Sequence, residues 1–145
     1  MQGIEKSLQK INVKAVAPVE SWNPKFCGNL DIRIAKDGSW FYEGSRINRI
    51  NLVKLFSSIL KKEGNNYFLV TPVEKIGITV DFAPFVATSM NFFHRGKTQK
   101  ISFSTNVGEE FELNYSHPIR IDFNPKTNEP HPYVSVRTNL EALID

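Results

Sequence analysis

The chain has 145 residues, 18 Lys+Arg against 15 Asp+Glu, a formal net charge of +3 and 41% apolar residues. That is the make-up of one ordinary globular domain or two small ones, not of a disordered or fibrous chain. No apolar run approaches the about 18–20 residues that span a bilayer as a helix, the basic excess is dispersed rather than gathered as a nucleic-acid footprint requires, and the single cysteine, Cys27, excludes an internal disulfide.

The amino-terminal stretch Met1 to Lys14 sets Ile4, Leu8 and Ile11 among Glu5, Lys6, Gln9 and Lys10. This predicts a short amphipathic helix rather than the continuous apolar core of a signal peptide, and a cytoplasmic protein. Leu30 to Ile34 alternates as a strand, Asp37-Gly38 supplies a turn, and Trp40-Phe41-Tyr42 returns as the partner strand. Leu52, Leu55, Phe56, Ile59 and Leu60 then recur at helical spacing, with Asn48 or Asn51 as cap and Gly64 as stop. Tyr67 to Val70 is an apolar β run. Thr71-Pro72-Val73-Glu74-Lys75 and Asp81-Phe82-Ala83-Pro84-Phe85 look like a rigid junction lining a cleft, or else ordinary solvated loops.

From Ile76 the texture becomes short β segments: Ile76 to Val80, Phe85 to Phe93, Gln99 to Ser104, Phe111 to Tyr115, Ile119 to Phe123 and Tyr133 to Val136. Thr138-Asn139-Leu140-Glu141 spells a capping box and predicts a closing helix. Ile32-Arg33-Ile34 recurs as Ile119-Arg120-Ile121, and Arg49-Ile50-Asn51-Leu52 as Arg137-Thr138-Asn139-Leu140, at offsets of 87 and 88 residues. These matches predict an internal duplication. The expected fold is α+β, with duplicated strand-hairpin-helix units and antiparallel sheets. Residues 1–74 form an amino-terminal half (helix, hairpin, helix, strand), and residues 75–145 a carboxy-terminal antiparallel meander with a closing helix.

No catalytic constellation emerges. Arg95-Gly96-Lys97-Thr98 lacks the first glycine of a phosphate loop, no G-x-G-x-x-G or G-x-S-x-G is present, and His94, His117 and His131 have no metal-ligand spacing. Cys27 reads as a buried core residue rather than a nucleophile. The arginines are better placed. Arg46 and Arg49 precede the first long helix and Arg137 the second, and helix starts with added guanidinium groups suit an anion. Arg33 and Arg120 are matched by the repeat. The alternative is that these arginines pair with Asp31, Asp81, Asp122 or Glu74 and only tie the fold together.

Trp22-Asn23-Pro24, Cys27-Gly28, the run from Asp37-Gly38 through Trp40-Phe41-Tyr42-x-Gly44-Ser45 to Leu55-Phe56, Phe68-Leu69-Val70-Thr71-Pro72-Val73-Glu74-Lys75, Ala83-Pro84-Phe85 and Pro132-Tyr133-Val134-x-Val136-Arg137 resemble the bacterial family catalogued as domain of unknown function 1285. The resemblance covers nearly the whole chain. It implies a duplicated core, a second half superficially similar to pleckstrin-homology-like folds, a nucleotide-like ligand between the halves, and a role in signal transduction. By position it makes Tyr42, Arg49, Thr71, Glu74, Lys75 and Arg137 candidate ligand-binding residues, to which the arginine pattern adds Arg46 and Arg120. Arg46 stands where the family pattern has proline, and Asp81-Phe82 where it has an acidic pair.

The functional expectation is a cytoplasmic, non-enzymatic module, with no cofactor or metal, that binds an anionic nucleotide-like small molecule. The alternative is a protein-interaction module with no small-molecule ligand, presenting a β edge or an apolar groove, its arginines held in internal ion pairs.

Overall fold

The computed structural model describes residues 17–114 and 117–144, so the helix expected over Met1–Lys14 lies outside the described residues. They divide into two compact units, the first running to Ala35 and resuming over Ser39–Asp81, the second made of Lys36–Gly38 and the chain from Phe82.

In the first unit β1 (Phe26–Ile34), β2 (Trp40–Tyr42) and β3 (Ser45–Arg46) form one antiparallel meander, α1 (Ile50–Ser58) follows, and β4 (Leu60–Glu63), β5 (Asn66–Val70) and β6 (Lys75–Val80) form another. The meanders join into one six-stranded sheet, order β3-β2-β1-β6-β5-β4, through a parallel β1–β6 pairing. Alternation fixes the faces. Ile32, Ile34, Trp40, Leu60 and Leu69 are buried with Val53 and Phe56 of α1, and the Trp40 and Phe56 rings stack at 6.0 Å.

The helix is shorter than its periodicity predicts. It stops at Ser58, where the Ser57 and Ser58 hydroxyls donate back to the carbonyls of Lys54 and Leu55, and Leu60–Glu63 pair with β5 instead. Arg49 occupies the amino-terminal cap position with no side-chain cap, so neither asparagine serves. Gly64, at φ +61°, belongs to the β4–β5 turn.

The second unit holds β7 (Phe85–Arg95), β8 (Thr98–Thr105), β9 (Glu110–Glu112), β10 (Ile119–Phe123), β11 (Pro130–Arg137) and β12 (Leu140–Ile144). Its sheet, order β10-β11-β12-β7-β8-β9, is again two antiparallel meanders joined by a parallel pairing, here β7 with β12. The halves are therefore duplicated, but the sheets are mixed rather than antiparallel, and α1 is the one α-helix among the described residues.

Three expectations need correction. The segment after Thr138 is strand β12, not a closing helix, because its apolar residues sit between β11 and β7. Equivalent strands begin 59–65 residues apart (Phe26 and Phe85, Leu60 and Ile119, Lys75 and Leu140), so the register of 87–88 matched β1 to β10, which do not correspond. The division after Glu74 moves to Asp81, because β6 pairs with both β1 and β5 of the first sheet.

Candidate functional site

The sheet face opposite α1 in the first unit carries a row of directly paired residues, one per strand: Asn29 on β1, Gly77 on β6, Phe68 on β5 and Lys61 on β4. Phe26 is paired with Lys75 in the next row. In a regular strand Phe26 and Asn29, three residues apart, would point to opposite faces. The β1–β6 register shifts between them, and Gly28 sits in that shift at φ +108°, a left-handed conformation that glycine adopts without strain. The bulge brings both side chains to one cleft.

That cleft, of about 340 Å³, is lined by Phe26, Asn29, Asn66, Phe68 and Lys75 over Gly77. Phe26 is 49% exposed and stands edge-on to Phe68 at 6.0 Å. A Cβ at residue 77 would collide with the Asn29 carboxamide oxygen, so the glycine makes room for the amide. The Lys75 ammonium lies 4.5 Å above the Phe68 ring and 2.6 Å from the Glu63 carboxylate. Lys61 reaches the other Glu63 oxygen at 3.8 Å and donates to the Trp22 carbonyl at 3.0 Å. Two ammonium groups thus share one carboxylate, leaving a net positive charge beside an exposed aromatic ring and two carboxamides. Such a surface can stack a planar ring, satisfy its polar edge and neutralise an attached anion.

Of the expected site residues, Lys75 lines this cleft. Thr71 and Glu74 shape the turn that precedes it: the buried Thr71 hydroxyl accepts from the amides of Val73 (3.3 Å) and Glu74 (3.0 Å). Thr71–Lys75 is therefore the β5–β6 hairpin connection, not a junction between halves. Tyr42 ends β2, Arg46 lies exposed on β3, and Arg49 is exposed at the start of α1; none of the three lines the cleft. Sequence reasoning missed Phe26, Asn29, Phe68 and Glu63. The available signal was a pair of glycines, Gly28 and Gly77, inside strand-like runs, which mark bulges and close approaches. Cys27, expected in the core, is exposed, and its thiol donates to the Lys25 carbonyl at 3.3 Å.

Arg120 and Arg137 belong to the second unit and sit on β10 and β11. Arg120 donates to both Glu141 oxygens, at 3.1 and 2.9 Å, and to Asp122 at 2.6 Å, with its guanidinium 4.6 Å from the Tyr133 ring centroid. These bonds, Glu141 foremost, raise its already high pKa further. Arg137 lies 5.3 Å from the Phe85 ring and 3.4 Å from Glu109, and burial lowers its pKa against that carboxylate. With no helix after it, Arg137 is not beside a helix amino terminus. In the first unit Arg33 pairs with Asp81 at 2.5 Å. Arg33 and Arg120 thus make ion pairs with two of the carboxylates that the structural alternative named.

Among the described residues, no helix is long and apolar enough to cross a membrane.

The model described as "Domain of unknown function (DUF1285), N-terminal domain" matches residues 17–83, and "Protein of unknown function (DUF1285), C-terminal domain" matches residues 84–145. A solved DUF1285 family protein from Silicibacter pomeroyi DSS-3 is 52% identical with a TM-score of 0.89, covering 99% of this chain and 78% of that one. One from Shewanella baltica OS155 is 25% identical with a TM-score of 0.59, covering 79% of this chain and 83% of that one. No curated protein matches the chain.

Proposed function

Because the chain belongs to the DUF1285 family, whose descriptions name no activity, we propose its function from the geometry of the first unit: the cleft between β1, β5 and β6 binds an anionic, nucleotide-like small molecule without transforming it. The observation that carries this reading is the half-exposed Phe26, braced edge-on by Phe68 and brought beside Asn29 and Lys75 by the Gly28 bulge. A base stacks on the Phe26 ring, the carboxamides of Asn29 and Asn66 take its polar edge, and the ammonium of Lys75 faces its phosphate. A role in signalling follows if occupancy of this cleft is what a partner reads. The second unit, a run of antiparallel meanders that we compare with pleckstrin-homology-like folds, is the half that would relay it.

Thermal melts with mononucleotides, dinucleotides, nucleosides and inorganic phosphate test the reading. A ligand bound only by the folded state adds RT ln(1 + [L]/Kd), about 2.7 kcal/mol at a hundredfold excess over Kd. Phe26→Ala and Lys75→Met should each weaken binding about tenfold, or about 1.4 kcal/mol. Arg49→Ala and Arg137→Ala, outside the cleft, should leave it unchanged. If no phosphate-bearing compound moves the melt, the cleft is not a nucleotide site.

A further inference from the structure

Three of the four sheet edges are short and carry charge: β3 is Ser45-Arg46, β4 is Leu60-Lys61-Lys62-Glu63 and β9 is Glu110-Phe111-Glu112. Such charges guard an edge against pairing with another chain. The fourth edge, β10, holds the place in the second sheet that β4 holds in the first, and it sets a row of three exposed apolar side chains beside its two charges. It is Ile119-Arg120-Ile121-Asp122-Phe123, exposed throughout, with Ile119, Ile121 and Phe123 at 45%, 54% and 58% exposure in one row. β11 pairs with one side of it, and among the described residues no other strand adjoins the other.

The geometry points to a second copy of this chain as the occupant of that edge, β10 pairing antiparallel with β10 about a two-fold axis through Ile121. The sequence of the strand selects the partner and the register. With Ile121 opposite its own copy, Ile119 faces the partner subunit's Phe123, and Arg120 faces the partner subunit's Asp122. Two apolar cross-strand pairs flank a central one on one face, and two opposite-charge pairs lie on the other. Centring the axis on Arg120 or on Asp122 instead sets like charges opposite each other. The ladder is therefore self-complementary in one register, as a two-fold contact requires. Arg120 is already held by Glu141 on that face, so its guanidinium is in place before pairing.

Sedimentation velocity on the full chain, from micromolar to millimolar concentration, reads the outcome. The wild type should pass from monomer to dimer. Ile121→Lys, which places two ammonium groups on the axis, should remain monomeric with an unchanged circular dichroism spectrum. Asp122→Lys and Arg120→Glu should each be monomeric alone, since each sets like charges opposite each other twice. Their equimolar mixture should recover the dimer, because the carboxylate introduced in one variant then faces the ammonium introduced in the other, while the native Arg120–Asp122 pair forms across the axis. A wild type that stays monomeric throughout, a dimer that survives Ile121→Lys, or a mixture that stays monomeric would each overturn the proposal. If Arg120→Glu does not fold, the single variants Ile121→Lys and Asp122→Lys still decide it. The ligand reading is untouched by any of these results, being tested by nucleotide titration of the first unit.

Discussion

Arg120 meets two carboxylates at an exposed site, whereas the Arg137 side chain is largely buried, with Glu109 at 3.4 Å. Removing a carboxylate therefore has different consequences in the two places. At Arg120 the loss of Asp122 leaves water and Glu141 to solvate the cation, so Asp122→Asn should cost less than about 1 kcal/mol. At Arg137 little water can replace Glu109, and Glu109→Gln should cost about 1–3 kcal/mol, read as a shift in urea midpoint at constant slope. Tyr133, packed with Ala83 and Leu143, is raised above the ordinary phenol range mainly by burial. A raised folded value means stability that is fully present below the ordinary value of about 10 and lost as pH rises through the higher folded one. One of the four tyrosines should accordingly ionise late in an ultraviolet titration, and Tyr133→Phe should flatten the loss of stability on the alkaline side.

Hairpins written as alternation around a turn residue were legible; β4 and β12, although each pairs with the neighbouring strand in sequence, were not. The β1–β2 hairpin follows from alternation and Asp37-Gly38, whereas the apolar stripe expected on α1 holds fully only at Phe56: Leu52 and Leu55 are half-buried, and Val53 and Ser57 are buried in their place. β12 was misread because the adjacent Ala142 and Leu143, which point to opposite faces, are both buried, and its run Leu140, Ala142, Leu143 loses the alternation that identifies a strand. The capping-box residues have another job: Thr138 and Asn139 form the turn between Arg137 and Leu140. Thr138 adopts φ +49°, which a β-branched residue takes at a cost. Thr138→Gly should then stabilise the protein by about 0.5–1 kcal/mol in thermal or chemical denaturation, whereas removing the first cap of a real helix would destabilise it. In the candidate cleft, Lys75 was found because it sits in a recognisable motif. Phe26 and Asn29 were not, because only the bulge at Gly28, visible once β1 is paired with β6, places them together.

At the scale of the whole molecule, the duplication is a repeat of topology more than of letters. Two meanders joined in parallel recur with strand starts 59–65 residues apart, while α1 has no counterpart among the described residues between β9 and β10. Three-residue matches followed shared alternation instead and gave the wrong register. The units are also not consecutive in sequence: the turn Lys36–Gly38, inside the β1–β2 hairpin, is part of the second. Its fixing point is Asn106, whose carboxamide nitrogen donates to the Gly38 carbonyl at 3.1 Å and whose oxygen accepts from the Val86 amide at 2.9 Å. Gly38 is buried at φ +88°, and an added Cβ would stand 2.6 Å from the Asn106 amide nitrogen and 3.1 Å from a Val86 methyl. Gly38→Ala thus strains the backbone and displaces the side chain that holds β7. The expected cost is about 1–3 kcal/mol, and its location is the sharper test. Hydrogen exchange should quicken at the Val86 amide, nearly fifty residues away in sequence, and not only in the mutated turn. Exchange that changes at residues 36–40 alone would mean that the turn is held by its own hairpin and that Asn106 contributes little.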